Sequence, residues 1–316
     1  MEISITVEGF GLAWDRWKEL IIKLEACGFA GIYKSDHFNF NFPPHTDHLE
    51  VYVALTYLAS HIPRVHFGTL VSPVSYRDPV MLARQAMAMD DLSGGRMILG
   101  VGTGWLEAEH TLFGYHLGTV KERLDRFEEA LEVMTQLIRS DDPVTFQGNY
   151  YQLQEAVLMP RPQRKTPIMI GGDGPKRMLP MVARYADVWN CRGSLDNFKD
   201  RSALLDDLLL AEGRQPGDVK RTIMLLFGCW QTDAERDQII EDIPEPVRRF
   251  FGGDDQLIAR LQNDRPVPSP EAVVEYLKAF EASGTEEVMI QYFGLNGDTQ
   301  LDILAEHVLP HFSQAV

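Results

Sequence analysis

Apolar and polar positions change period repeatedly along this chain. Strand-length apolar runs recur at residues 3–8, 31–34, 65–70, 97–101, 168–170, 187–190, 222–227 and 287–291. Between them, apolar residues return every three or four positions, the spacing of a helix with one buried face. Residues 14–27 place Trp17, Leu20, Ile21 and Leu24 on one such face, and Gly28 stops the helix. Asp78 and Pro79 supply an N-cap and a first-turn proline for a helix that runs to Ser93. Leu82, Ala86, Met89 and Leu92 are expected to face inward there, with Gly94 and Gly95 as the stop. Residues 121–139 are the most amphipathic stretch, with Leu124, Phe127, Leu131, Met134 and Ile138 in register. Further helices are predicted over 51–60, 176–185, 195–212, 270–283 and 300–311.

The alternation is interrupted downstream. Residues 144–153 read as a hairpin turning at Gly148 and Asn149, and a proline-rich run over 159–167 leads back to the next strand. Residues 231–269 are polar, acidic and broken by prolines, the pattern of an insertion with short helices. Eight strand–helix pairs in one chain predict an α/β fold, a (β/α)8 TIM barrel, formed by residues 1–316 as a single domain. The expected insertions lie at about 38–50, 141–166 and 231–269. An open doubly wound sheet is the alternative, and it needs a boundary near the proline-rich run.

Composition narrows the function classes. The chain has 316 residues, 45% of them apolar and 24% charged, as in ordinary globular proteins. A formal net charge of -16 excludes a broad nucleic-acid surface. Cys27, Cys191 and Cys229 are far apart, with no CxxC spacing, so neither a disulfide framework nor a zinc ribbon is expected. No apolar run approaches the roughly 18 residues of a membrane span. Glu2 and the lack of a basic leader argue against a signal peptide. The expectation is a cytoplasmic protein whose partners are a small-molecule substrate and at most a second copy of the chain, with no nucleic acid and no membrane.

The chemistry-bearing residues cluster where strands end. Asp36 and His37 close the second strand. A histidine at a strand end can donate or accept a proton, and it titrates in the useful range. Gly100 to Gly104 follow the fourth strand, with Trp105 next and Glu107 and Glu109 close behind. No helix begins at once and no acidic residue follows at the required distance, so a dinucleotide fingerprint is excluded. These glycines instead admit a cofactor close to the backbone. Gly171, Gly172, Asp173 and Gly174 precede a helix expected near Pro175, an arrangement of free N–H groups suited to a phosphate. Lys176, Arg177 and Arg161 are candidates for added positive charge. Trp189 is placed at the pocket by its strand-end position. His37, His45, Asp47 and His48 invite a metal reading, but their spacing fits no standard zinc motif, so no metal is expected.

Several stretches, in order, resemble the luciferase-like monooxygenase superfamily of flavin and deazaflavin oxidoreductases. They are residues 35–38, 68–69, 76–79, 92–96, 99–105, 123–128, 167–172 and 183–190, with a weaker match at Glu287 and Val288. The Asp36–His37 pair looks like the branch that uses the deazaflavin coenzyme F420; other members use reduced FMN and oxygen. The resemblance implies a bacterial luciferase-like barrel and an oxidoreductase moving a hydride between F420 and a small organic substrate, with Asp36 and His37 catalytic. It implies that Asp36, Thr69 and Leu70 meet the ring, and that Thr103, Gly104 and Gly171 to Gly174 hold the ribityl-phosphate arm. Trp105, Glu109 and Trp189 would face the substrate. It also implies a non-proline cis peptide, which the distance to Pro79 maps to Thr69–Leu70. Some sugar-phosphate dehydrogenases of the superfamily carry a glutamate where this chain has Trp105, a departure that speaks against that substrate class. The alternatives are an FMN-dependent monooxygenase using reduced FMN and oxygen, a non-catalytic flavin-binding protein, and a barrel metallohydrolase.

Overall fold

The computed structural model describes residues 1–38, 46–262 and 268–312. The strands are β1 (Glu2–Val7), β2 (Gly31–Lys34), β3 (His66–Thr69), β4 (Ser72–Pro73), β5 (Met97–Gly102), β6 (Val144–Gln147), β7 (Gln152–Ala156), β8 (Ile168–Gly171), β9 (Val188–Arg192), β10 (Lys220–Leu225) and β11 (Glu287–Tyr292). Eight of them form one parallel ring in the order β1-β2-β3-β5-β8-β9-β10-β11, closed by pairing of β11 with β1. β4 extends the wall beyond β3, and β6 and β7 make the expected antiparallel hairpin outside the ring. The closed ring excludes the open sheet.

Strand phase divides the residues of each strand. Ile3, Ile5, Val7, Ile223, Val288 and Ile290 join the core between barrel and helices, while Tyr33, Ile98, Met169, Val188 and Met289 fill the lumen. The outer layer includes α1 (Trp14–Cys27), α2 (Val51–His61), α3 (Pro79–Ser93), α4 (Glu107–Phe113), α5 (Val120–Arg139), α6 (Met178–Tyr185) and α7 (Leu195–Ala211). Gly28 and Gly94 end α1 and α3 in left-handed conformation, and Asp78 caps α3 through the Val80 and Met81 amides. Three short helices, α8 (Asp233–Asp242), α9 (Glu245–Phe250) and α10 (Asp254–Gln262), carry the 231–269 stretch, and α11 (Pro270–Glu281) precedes β11. Among the described residues no helix is long and apolar enough to cross a membrane.

Several local expectations need correction. Leu92 is 54% exposed, on the solvent side of a last turn whose Asp90 is fully buried. β10 begins and ends two residues earlier than its apolar run suggests. α4, too short to show a helical period, was not expected. The final helix is α only over Thr299–Ile303; a wide turn over Leu304–Val308 and a tighter one over Leu309–His311 follow, with Pro310 unable to donate a backbone bond.

At the N-terminal end of the barrel, the fully buried Glu287 accepts hydrogen bonds from His66 Nε2 and Lys220 Nζ, each at 2.8 Å. Glu2, His66 and Glu287 are spaced closely enough to hold a metal, but the Lys220 ammonium already bonds both carboxylates. Burial alone raises the Glu287 pKa; the charges and hydrogen bonds of His66 and Lys220 outweigh it and bring it down to about 2. A carboxyl with a depressed folded pKa contributes stability above its unfolded value, and that stability is lost as pH falls through the folded one. We expect Glu287→Gln to lose ~1.5–3 kcal/mol at neutral pH, since His66 and Lys220 lose a charged acceptor while Lys220 keeps Glu2. Its stability should also depend less on pH between 4.5 and about 2. Denaturant titrations of both proteins across that range check this.

Candidate active site

A cavity of about 650 Å³ opens at the C-terminal end of the barrel, the face on which such barrels place their chemistry. β2 leads straight into Asp36 and His37. Asp36 is 3% exposed and is gripped by Arg77, whose Nη2 reaches Oδ1 at 2.7 Å and whose Nε reaches Oδ2 at 3.0 Å. Ser72 Oγ donates to Oδ2 at 2.7 Å, and Tyr76 donates its hydroxyl to the Asp36 carbonyl. A buried carboxylate needs this compensation. It ties β2 to β4 and to the entry of α3.

Asp36 does not orient His37; Glu109 does. Glu109 is 1% exposed on α4, and its Oε2 lies 2.8 Å from His37 Nδ1. Its Oε1 accepts from the Phe38 amide at 2.7 Å and from the Tyr76 hydroxyl at 3.4 Å. Burial pushes the His37 pKa down, but the hydrogen bond and charge of Glu109, aided by Glu8 and Asp36, raise it above its ordinary value. The contact turns His37 Nδ1 toward Glu109, and among the described residues its Nε2 has no protein partner. Trp105 stands edge-on to the imidazole, 6.0 Å between centroids.

The loop after β5 is fixed from behind. Gly104 has φ +80°, and a Cβ there would meet Ser75 Oγ at 2.3 Å. His110 Nε2 lies 2.7 Å from that same Ser75 Oγ, and Arg123 donates to the Gly104 carbonyl at 2.9 Å. Thr103, Gly104 and Trp105 thereby line the cavity.

Across the cavity, Gly171 to Gly174 lead into α6, which starts at Met178 rather than at residue 176. Gly172 has φ +132°, a conformation that side chains resist. Its carbonyl accepts from Trp189 Nε1 at 2.7 Å. Among the described residues, the amides of Asp173, Gly174, Lys176 and Arg177 donate to no other backbone group. Free N–H groups at a helix entry, with glycine letting a ligand approach, form an anion cradle.

Strand phase corrects two assignments. Trp189 faces outward, fully buried and stacked on Phe198, so it supports the glycine turn from behind and does not line the cavity. Thr69 also faces out of the lumen; its Oγ1 donates to the Gly100 carbonyl at 2.7 Å, which stitches β3 to β5. Leu70 and Val71 present themselves to the cavity instead. The non-proline cis peptide joins Leu70 and Val71, one residue beyond the mapped position.

The basic candidates separate as well. Arg177 pairs with Asp125 and Glu128, and Arg161 caps the end of α5 at the Leu137 carbonyl. Lys176 and Arg192 remain at the mouth, with no carboxylate partner among the described residues. The histidines do not converge on a metal: His37 binds Glu109, and His48 Nε2 lies 3.3 Å from the buried Lys34 Nζ. His45 lies outside the described residues. Sequence reading missed Glu8, Ser72, Arg77, Asn190 and Gln291. Arg77 stood within a matching stretch, and strand phase was the signal that could have found Asn190 and Gln291.

The profile of luciferase-like monooxygenases matches residues 4–287. The chain belongs to this family. An F420-dependent glucose-6-phosphate dehydrogenase of Amycolatopsis mediterranei is 33% identical, over 92% of each chain. A protein of the same name from Microbacterium testaceum is 34% identical over 90% of each. The structure of an F420-dependent secondary alcohol dehydrogenase superposes with TM-score 0.83 over 99% of both chains at 18% identity. A monooxygenase from Streptomyces bottropensis gives TM-score 0.81 over 99% of this chain and 100% of that one, also at 18% identity. These two likenesses establish the luciferase-like barrel fold.

Replacing Glu109 by Gln removes the charge that holds the His37 proton, while burial of the ring remains. We expect the His37 midpoint, followed by NMR of its ring resonances, to lie above 6.5 in the parent and to drop in Glu109→Gln. An unchanged midpoint would refute the pairing.

Proposed function

We propose that this protein is an oxidoreductase that moves a hydride between deazaflavin coenzyme F420 and a small organic substrate. One observation carries the reading: a single cavity has the hydrogen-bonded His37–Glu109 pair at one end and a turn of free amides suited to an anion at the other. Relatives of high coverage named as F420-dependent dehydrogenases support the choice of cofactor. The cavity volume and the glycine-lined wall fit a tricyclic ring with a ribityl-phosphate arm. Leu70, Val71 and the Asp36 region would hold the ring; Thr103, Gly104 and residues 171–174 would hold the arm.

When bound, the deazaflavin supplies the hydride-carrying carbon. This chain supplies the rest. The apolar wall excludes water from the ring end. Glu109 orients the imidazole and raises its basicity, which leaves Nε2 as the ring nitrogen available to a substrate. A proton on Nε2 is available to an oxygen that gains negative charge, as in carbonyl reduction; the reverse direction returns it to Nε2. Because the His37 pKa is raised, carbonyl reduction stays undiminished past the usual histidine range and falls only as pH rises through the shifted value.

An FMN-dependent monooxygenase is the second reading. A monooxygenase of Streptomyces nodosus subsp. asukaensis, 30% identical over 49% of this chain, supports it. Both cofactors carry a ribityl phosphate, so the cradle does not distinguish them. Titrating the purified protein with each oxidised cofactor does. Saturable F420 binding is expected; micromolar FMN binding with none for F420 would reverse the order.

Two variants test the halves of the site. Gly172→Val forces a side chain against Met178 at a positive φ, which distorts the turn that carries the free amides. We expect cofactor affinity to fall by ~10-fold or more, about 1.4 kcal/mol, with the fold retained by circular dichroism. Equal titrations would remove the phosphate assignment. His37→Asn should lower kcat by ~10²–10⁴-fold while leaving the cofactor Kd near the parent value. Unchanged turnover would reduce His37 to a structural role.

A further inference from the structure

The cofactor arrangement proposed above uses the strand ends of β2, β3–β4, β5 and β8. The other half of the barrel mouth is formed by β9, β10, β11 and β1, which contribute Asn190, Arg192, Met224, Gln291 and Glu8 to the same cavity. Glu8 stands out among them. It continues the inward phase of β1 after Ser4 and Thr6, and it is 7% exposed. Its backbone is pinned on both sides: its amide donates to the Tyr292 carbonyl at 3.2 Å, and its carbonyl accepts from Ser35 Oγ at 2.8 Å. Its carboxylate accepts from Gln291 Nε2 at 2.6 Å.

Of the three buried carboxylates in the cavity, two are ion-paired, Asp36 with Arg77 and Glu109 with His37. Glu8 has no ion-pair partner among the described residues. Two cations lie within electrostatic reach, but both have other hydrogen-bond partners. His37 faces Glu109, and Lys34 Nζ bonds the Ser35 carbonyl and His48. A buried carboxylate with one neutral donor retains strong acceptor capacity on its remaining lone pairs. A ligand that donates there completes the site, whereas an anion meets an uncompensated like charge.

We propose that Glu8, braced by Gln291, is a specificity-determining residue of the substrate subsite. It selects a substrate whose end facing β1 and β11 carries a hydroxyl or ammonium group, and it rejects one with a carboxylate or phosphate at that end. The proposal rests on the functional reading above for which half of the cavity the substrate occupies.

Three probes of matched size and different charge test it: benzylamine, benzyl alcohol and benzoate. Each is titrated by calorimetry into the cofactor-loaded parent protein and into Glu8→Gln, with the cofactor Kd measured separately for both. The expected parent order is benzylamine, then benzyl alcohol, then benzoate, with at least ~10-fold between the extremes. In Glu8→Gln that ratio should collapse or invert while the cofactor Kd stays within about twofold. Glu8→Asp keeps the charge and should keep the order, and Glu8→Ala gives the same readout if the glutamine variant does not fold. An unchanged ratio in the neutral variants, tighter benzoate than benzylamine in the parent, or no saturable probe binding to the parent would each overturn the proposal. Absence of F420 binding to the parent would sink the functional reading instead, and the charge order remains measurable on the apoprotein.

Discussion

Closure of eight parallel strands into a ring is the constraint on which the rest depends. Once β11 pairs with β1, every strand residue faces either the lumen or the helices, and a shift of one position reverses the assignment. Met169 and Met289 fill the floor, while the lumen-facing positions above them meet no opposing side-chain layer and open into the cavity. The site is thus the unfilled top of a packed barrel. Its residue content is set by which positions share the phase of that floor.

The same rule separates what the sequence made legible from what it did not. The number and order of the strands could be read, because apolar runs and helical periods are local properties. Gly28, Asp78 and Gly94 marked helix ends for equally local reasons. Asp36, His37 and the 171–174 turn were found because polar and glycine residues directly after a strand contribute little to core packing. Trp189 and Thr69 were misplaced because chemical identity was weighed above strand phase; the neighbouring Asn190 and Leu70 face the cavity. Glu109 could be suspected but not assigned a partner. Its contact with His37 spans 72 residues and depends on α4, which is too short to show a period. Arg77 was visible only as part of a matching stretch, since nothing local signals that it reaches back to Asp36.

Electrostatics adds a second layer of order. The chain carries a net charge of -16, yet its buried site charges are largely matched in pairs. Desolvation makes an unmatched buried charge costly, so pairing comes with burial. The two pairs have different consequences. Arg77 keeps its proton, so its two-point grip on Asp36 serves as a fixed strut between β2 and the entry of α3. Imidazole can lose its proton, so the pair with Glu109 combines orientation with a transferable hydrogen. Both are a carboxylate meeting a basic group at hydrogen-bond distance, and the proposed function gives a proton-transfer role to the second.

Glu8 departs from this pattern in an informative way. Folding alone gives no reason to keep a carboxylate at a lumen position where glutamine or an apolar residue would remove the desolvation cost. Lys34, buried nearby and pushed down to about 8 by that burial, lies in reach of the Glu8 charge but is bonded elsewhere. Among the described residues, the stabilisation that a direct charged partner would provide is therefore absent. A ligand that supplies a donor provides it on binding, and the cost of the buried charge becomes discrimination between ligands. On this argument, the half of the barrel mouth left free by the cofactor arrangement is where this chain's substrate preference is encoded.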